Sequence, residues 1–189
     1  MIGSALFLLC LLSCATKPPA SPYSPVYVTD RTAYLLLPPA YIEAPLDMPQ
    51  QLAGRYGKQE AVVQVWVVAD EQSVTMALFN SFGTSLGELS FTESGISLSS
   101  TVFPGSMKPE YIIADFQFCF YRTDAIAQAL KNSGLTFNVR PGTPGDQDAF
   151  EVRSIFEGPR LIIEIEKTAG MIRYTNHLRD YAYTLEGAF

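Results

Sequence analysis

The reading of Asn80-Ser81-Phe82-Gly83-Thr84-Ser85-Leu86-Gly87, NSFGTSLG, and of the Glu88-Leu89-Ser90-Phe91 that follows, decides the fold. Residues 83–87 spell G-x-S-x-G, the pattern of a serine-hydrolase elbow, and the chain continues with Asp115, Asp124, Asp146 and Asp148 and then His177, the order Ser, Asp, His. An elbow needs a strand, a strained turn and then a helix, so that the serine meets backbone N–H groups at a helix N-terminus. After Ser85 the residues instead alternate apolar and polar around a glycine, the pattern of a strand. The stretch therefore predicts a hairpin: Asn80, Gly83, Thr84 and Ser85 form a turn between a strand ending at Phe79 and one beginning at Leu86. No residue is assigned as catalytic, and the chain reads as a non-enzyme, with a small lipid hydrolase using Ser85 as the least favoured alternative. Phe82 falls near the hairpin tip. There a large apolar side chain either folds back on the core rim or stands in water.

Period-two patterning extends outward from this hairpin. Val63, Val65 and Val67 share a face, as do Val74, Met76 and Leu78, then Leu89 and Phe91, then Ile96 and Leu98. Towards the C-terminus the same pattern returns over Leu135–Val139, over Phe150, Val152, Ser154 and Phe156, over Leu161–Ile165, over Ile172 and Tyr174, and over Tyr181–Leu185. Between the two sets, Pro109 to Gly134 changes period. Pro109 suits a first helical position, Ile112, Ile113, Phe116 and Phe120 recur at helical spacing, Ile126 and Leu130 follow, and Gly134 fits a C-cap. This reads as one or two helices; Phe116, Phe118 and Phe120 also alternate, which leaves a strand as the alternative. The order strands, helical insert, strands predicts a mainly β, α+β domain: a curled antiparallel sheet over helices.

With 189 residues, 48% apolar, the chain is long enough for one domain with a sizeable core. A net charge of -6 without a Lys/Arg run argues against nucleic acid as a partner. No spaced ligand set for a metal and no nucleotide-binding motif is present, so no cofactor is expected. The apolar set Val65, Met76, Leu78, Ile112, Phe116, Phe120, Ile126 and Leu130 fits either a lipid-binding cavity or an ordinary core, because both require inward-pointing apolar side chains.

Residues 1–13, MIGSALFLLCLLS, form an apolar run too short to span a bilayer and of signal-peptide length. Leu11-Leu12-Ser13-Cys14 resembles the bacterial lipobox, which implies lipid attachment at Cys14, a Pro-rich tether over residues 14–30 and a single domain over 31–189. Cys119 is then without a disulfide partner. Ala15, where Asp would imply inner-membrane retention, points by the same resemblance to the outer membrane, facing the periplasm.

The lipobox, the Asn80-Ser81-Phe82-Gly83 loop, the returning strand Leu86–Phe91 and the helical insert ending near Gly134 together resemble LolB, the outer-membrane lipoprotein receptor, and related lipoproteins, some from aryl-polyene gene clusters. The resemblance implies an incomplete β-barrel closed on one side by helices, whose hydrophobic interior accepts acyl chains, another amphipathic lipid or lipoprotein cargo, with a periplasmic carrier protein as a partner. It also implies that Phe82 enters the membrane during delivery. The other reading is a non-enzymatic accessory lipoprotein of cell-envelope or aryl-polyene assembly, with a packed core and protein partners.

Overall fold

The computed structural model describes residues 22–56, 58–101, 108–143 and 149–187. The described residues begin with a small antiparallel ribbon, β1 (Val26–Tyr27) and β2 (Ala33–Tyr34), and a 3-10 turn at Pro39–Tyr41. A meander follows: β3 (Leu46–Tyr56), β4 (Gln59–Ala69), β5 (Ser73–Phe79), β6 (Ser85–Thr92) and β7 (Gly95–Ser100). Two helices come next, α1 (Pro109–Phe120) and α2 (Thr123–Asn132), and then a second meander, β8 (Thr136–Pro141), β9 (Glu151–Glu157), β10 (Arg160–Lys167), β11 (Met171–Asn176) and β12 (Tyr181–Glu186). The two meanders join where β12 pairs with β3, giving one antiparallel ten-stranded sheet in the order β7-β6-β5-β4-β3-β12-β11-β10-β9-β8. The mainly β expectation holds, and the sheet is open.

Local side-chain chemistry sets the hairpins. Asp70 accepts from the N–H groups of Gln72 and Ser73, Asn80 from those of Phe82 and Thr84, Thr168 from Met171, and Asn176 from Leu178 and Arg179. Each short polar side chain replaces a ladder partner and turns the chain back. Across β3–β4–β5–β6, the paired residues Met48, Val67, Met76 and Leu89 lie in one row on the inner face. Pro49 is tolerated in β3 because β12 ends at Glu186, opposite Gln51, so β3 has a neighbour on one side only at that point.

The sheet curls around α1. This helix touches β7 at one edge, while Arg153 of β9, next to the other edge, bonds to the carbonyls of Phe118 and Tyr121. In a flat sheet those two strands would stand about 38 Å apart at the usual strand spacing of about 4.8 Å. A twelve-residue helix, roughly 18 Å long, could not reach both.

Phe116, Phe118 and Phe120 are helical, and the alternative strand is not adopted. Their alternation misleads because α1 is covered on more than one side: Gln117, Phe118, Cys119 and Phe120 are all buried in succession, with β1, β2 and residues 34–42 packed on the helix away from the sheet. At the end of α2, Gly134 adopts φ +82° and Leu135 N–H bonds to Leu130 C=O, the glycine cap expected there.

Two expectations need correction. Residues 22–30, expected to be tether, belong in part to the folded body: Tyr23, Val26 and Val28 are buried and the ring of Tyr23 packs at a tilt against Phe91. Aromatic and β-branched side chains between the prolines supply the apolar area that keeps this segment on the core. In β9 the face turned towards α1 carries Glu151, Arg153 and Ile155, in register with Lys167, Ile165 and Ile163, rather than the predicted row of Phe150, Val152, Ser154 and Phe156. Val152 and Ser154 are buried as well, so the strand lacks a wet face to betray its register.

Candidate ligand-binding interior and hairpin tip

Val65, Met76, Leu78, Phe116, Phe120, Ile126 and Leu130 are buried in one apolar cluster between sheet and helices, and Ile112 packs half-buried against it. The structure thus brings together the whole set proposed from sequence. The side chains pack together in that cluster. Of the two cavities described here, neither is lined by these residues.

Three polar groups seat α1 in this apolar setting. Gln117 accepts from Tyr34 O–H (2.7 Å) and Leu37 N–H (3.1 Å) and donates to Leu37 C=O (2.7 Å), tying the helix to the N-terminal segment. Arg153, fully buried, donates to Phe118 C=O (3.2 Å) and Tyr121 C=O (2.9 Å), which are carbonyls at the helix C-terminus without intrahelical partners, and to Glu151 (2.7 Å) and Glu43 (2.9 Å). Burial pushes Glu151 up, but its bonds to Arg153 and Lys167 outweigh that and hold it below the usual carboxylate range.

The third seat is Asp115. Its carboxylate accepts from Tyr174 O–H (2.5 Å) and Tyr181 O–H (2.8 Å), and the ring of Tyr174 is stacked between Tyr181 and Tyr183, with centroids 5.8 and 4.7 Å away. Burial pushes Asp115 up to about 7, against the lowering effect of the two phenol bonds. The phenols of Tyr174, Tyr181 and Tyr183 are raised by burial too, and the Cys119 thiol is pushed up to about 12 by the same cause, which leaves it protonated and unreactive. In the sequence Asp115 stands out only as an acid downstream of Ser85, and no pattern there marks Arg153 or Gln117. The available signal was a lone carboxylate inside the apolar run of residues 111–120.

At the β5–β6 turn, Phe82 is 91% exposed, so it does not fold back on the rim. Asn80 builds the loop beneath it: its Oδ1 accepts from Phe82 and Thr84, its N–H bonds to Thr84 C=O and its C=O to Gly83 N–H, with Gly83 at φ +79°. Ser85 is exposed and begins a strand. The ladder aligns it through Phe79, Gln64, Gln51 and Glu186 with Met171, five strands away and at the opposite end of β11 from His177. No Ser-His pair forms. Gly87, the last glycine of the pattern, is there for packing: a Cβ at its φ of +151° would lie 2.3 Å from Ser99 C=O.

A shallow groove of about 320 Å³ crosses β3, β4 and β12, lined among others by Ala53, Arg55, Glu60, Val62, Arg173 and Tyr183. A second cleft, of about 10 Å³, has Asp115 in its wall with Tyr27, Tyr111, Asn176, Arg179 and Tyr181. That is room for about one water. No group of three or more potential metal ligands occurs among the described residues. Cys14, Asp146 and Asp148 lie outside the described residues.

A family model described as "Protein of unknown function (DUF3261)" matches residues 47–187, from the start of β3 to just past β12. No curated protein matches the chain.

Proposed function

The chain belongs to the DUF3261 family, and we propose that it is a lipid-anchored, periplasm-facing outer-membrane protein that binds an acyl chain or another amphipathic lipid inside a LolB-like half-barrel. The observation that carries this reading is the topology. The edges β7 and β8 are the strands on either side of the helical pair in the chain, and the helices lie in the trough of an open sheet. An apolar ligand gains about 25 cal/mol per Å² of its own surface on entering such an interior. Phe82, held out in water by a rigid turn, supports the same reading as a wedge that meets the bilayer during transfer.

One observation favours a second reading. The interior side chains are packed against one another, which suits an accessory lipoprotein acting through protein contacts. Lipid extraction and mass spectrometry of the purified chain produced without Cys14 separate the two. Stoichiometric co-purifying lipid, and saturable uptake of a fluorescent fatty acid that is weakened by Phe116→Trp or Leu130→Trp, support lipid binding. A lipid-free protein that takes up no fatty acid overturns it and leaves the accessory reading.

A further inference from the structure

The contacts of α1 with the sheet are apolar apart from a few polar seats, and of these Asp115 alone is a carboxylate on the helix itself. It sits where α1 crosses β11 and β12, at the wall of a one-water cleft. The groups facing it are known on each side: Tyr174 from β11, Tyr181 and Tyr183 from β12, Arg179 from the turn between them, Tyr27 from β1, and Tyr111 and Cys119 one helical turn away on α1 itself. The one guanidinium among them, that of Arg179, donates to the backbone C=O of Tyr27 at 2.9 Å. Asp115 therefore faces hydroxyls rather than a salt-bridge partner.

We propose that Asp115 is a proton-operated latch: its protonated carboxyl seats α1 in the trough of the sheet, and loss of that proton loosens the helix. A neutral carboxyl can donate to one phenol and accept from the other, since Tyr174 and Tyr181 oxygens lie 3.5 Å apart and their O–H groups rotate freely. An ionised carboxylate keeps both phenols as donors but needs more hydration than the cleft provides, so it is better served when the helix lifts and water enters. A group raised to about 7 makes this exchange within a mildly acidic to neutral range. The role assigned to the helix rests on the lipid-binding reading; the titration of its seat does not.

Hydrogen exchange of the α1 amides, corrected for the intrinsic pH dependence of exchange, tests the latch on the chain without any lipid. In the wild type the opening constant should rise at least tenfold between pH 5.5 and 8 and flatten above about 7. In Asp115→Asn, a neutral isostere, it should change by less than twofold. Tyr181→Phe removes one donor to the carboxylate and should move the midpoint to higher pH, and it carries the test alone should the Asn variant not fold. Equal pH dependence in wild type and Asp115→Asn, or an unmoved midpoint in Tyr181→Phe, overturns the latch. Fatty-acid uptake measured in parallel keeps the two ideas apart. Opening without uptake leaves the latch standing and sinks lipid binding, while uptake with flat exchange does the reverse.

Discussion

Replacing Arg153 by Met removes a guanidinium that holds the end of α1 against β9, and the size of the loss can be worked out bond by bond. Of its four partners, Glu43 is half in water, with 54% of its side chain exposed, so that pair contributes little. Glu151 retains Lys167 at 3.0 Å and stays paired. The carbonyls of Phe118 and Tyr121 are left buried without a donor, at about 1–3 kcal/mol each, offset in part because the buried charge itself disappears. The expected cost is about 3–5 kcal/mol, a large part of the total stability of a domain this size. Urea unfolding measures it, with the m-value unchanged if the folded state stays compact. Glu43→Gln, the control, should cost less than about 0.5 kcal/mol. An Arg153→Met variant losing under about 1 kcal/mol at constant m would refute the claim that these carbonyls depend on the guanidinium.

Phe82→Glu should leave the unfolding free energy within about 0.5 kcal/mol, since the side chain touches almost nothing, yet weaken liposome binding roughly tenfold or more, read by vesicle co-sedimentation. Gly87→Ala should destabilise by more than about 2 kcal/mol in the same urea assay, because both its φ and the backbone of Ser99 exclude a Cβ, whereas Ser85→Ala, at an exposed strand end, should be neutral in stability and in lipid uptake. With a carboxyl raised in the folded state to about 7, the contribution of Asp115 to stability should be fully present below about pH 4, be lost as pH rises to about 7 and level off above it, by at most about 4 kcal/mol; Asp115→Asn should remove that component from urea titrations run at several pH values. Alkyne fatty-acid labelling should mark the wild type and fail on Cys14→Ser.

Much of the sheet was legible because one wet face leaves a period of two, as along Val74, Met76 and Leu78, whose neighbours Thr75 and Ala77 point outward. Elements without a wet face were misread or blurred. In α1 the sequence Phe116-Gln117-Phe118-Cys119-Phe120 is buried throughout, so neither period stands out, and β9 is buried on both sides with an arginine pointing to the core. β3 is hard to read because Pro49, the inward Gln50 and Gly54 interrupt its alternation, and its place in the sheet comes from β4 and β12 rather than from its own pattern. The interior set was found by its apolar character alone. Its polar seats were not, because Asp115 meets Tyr174 and Tyr181 only after some sixty intervening residues have folded. The tip residue Phe82 was readable because Asn80 and Gly83 define its turn locally.

The seam between β3 and β12 joins residues 51–56 to residues 181–186, while every other pairing in the large sheet links strands adjacent in the chain. Hairpins form in microseconds, but a contact across so much of the chain waits for loop closure over its whole length. Each meander can thus assemble early, while the sheet becomes continuous only when the last strand arrives, with α1 already caught between the halves. Until then β3 and β12 present open edges of Gln51–Tyr56 and Tyr181–Glu186, and a chain lacking its final strand keeps the first of these permanently open. Such a chain should collect as a sticky, partly folded species, and the seam sets the time during which the wild type passes through the same hazard.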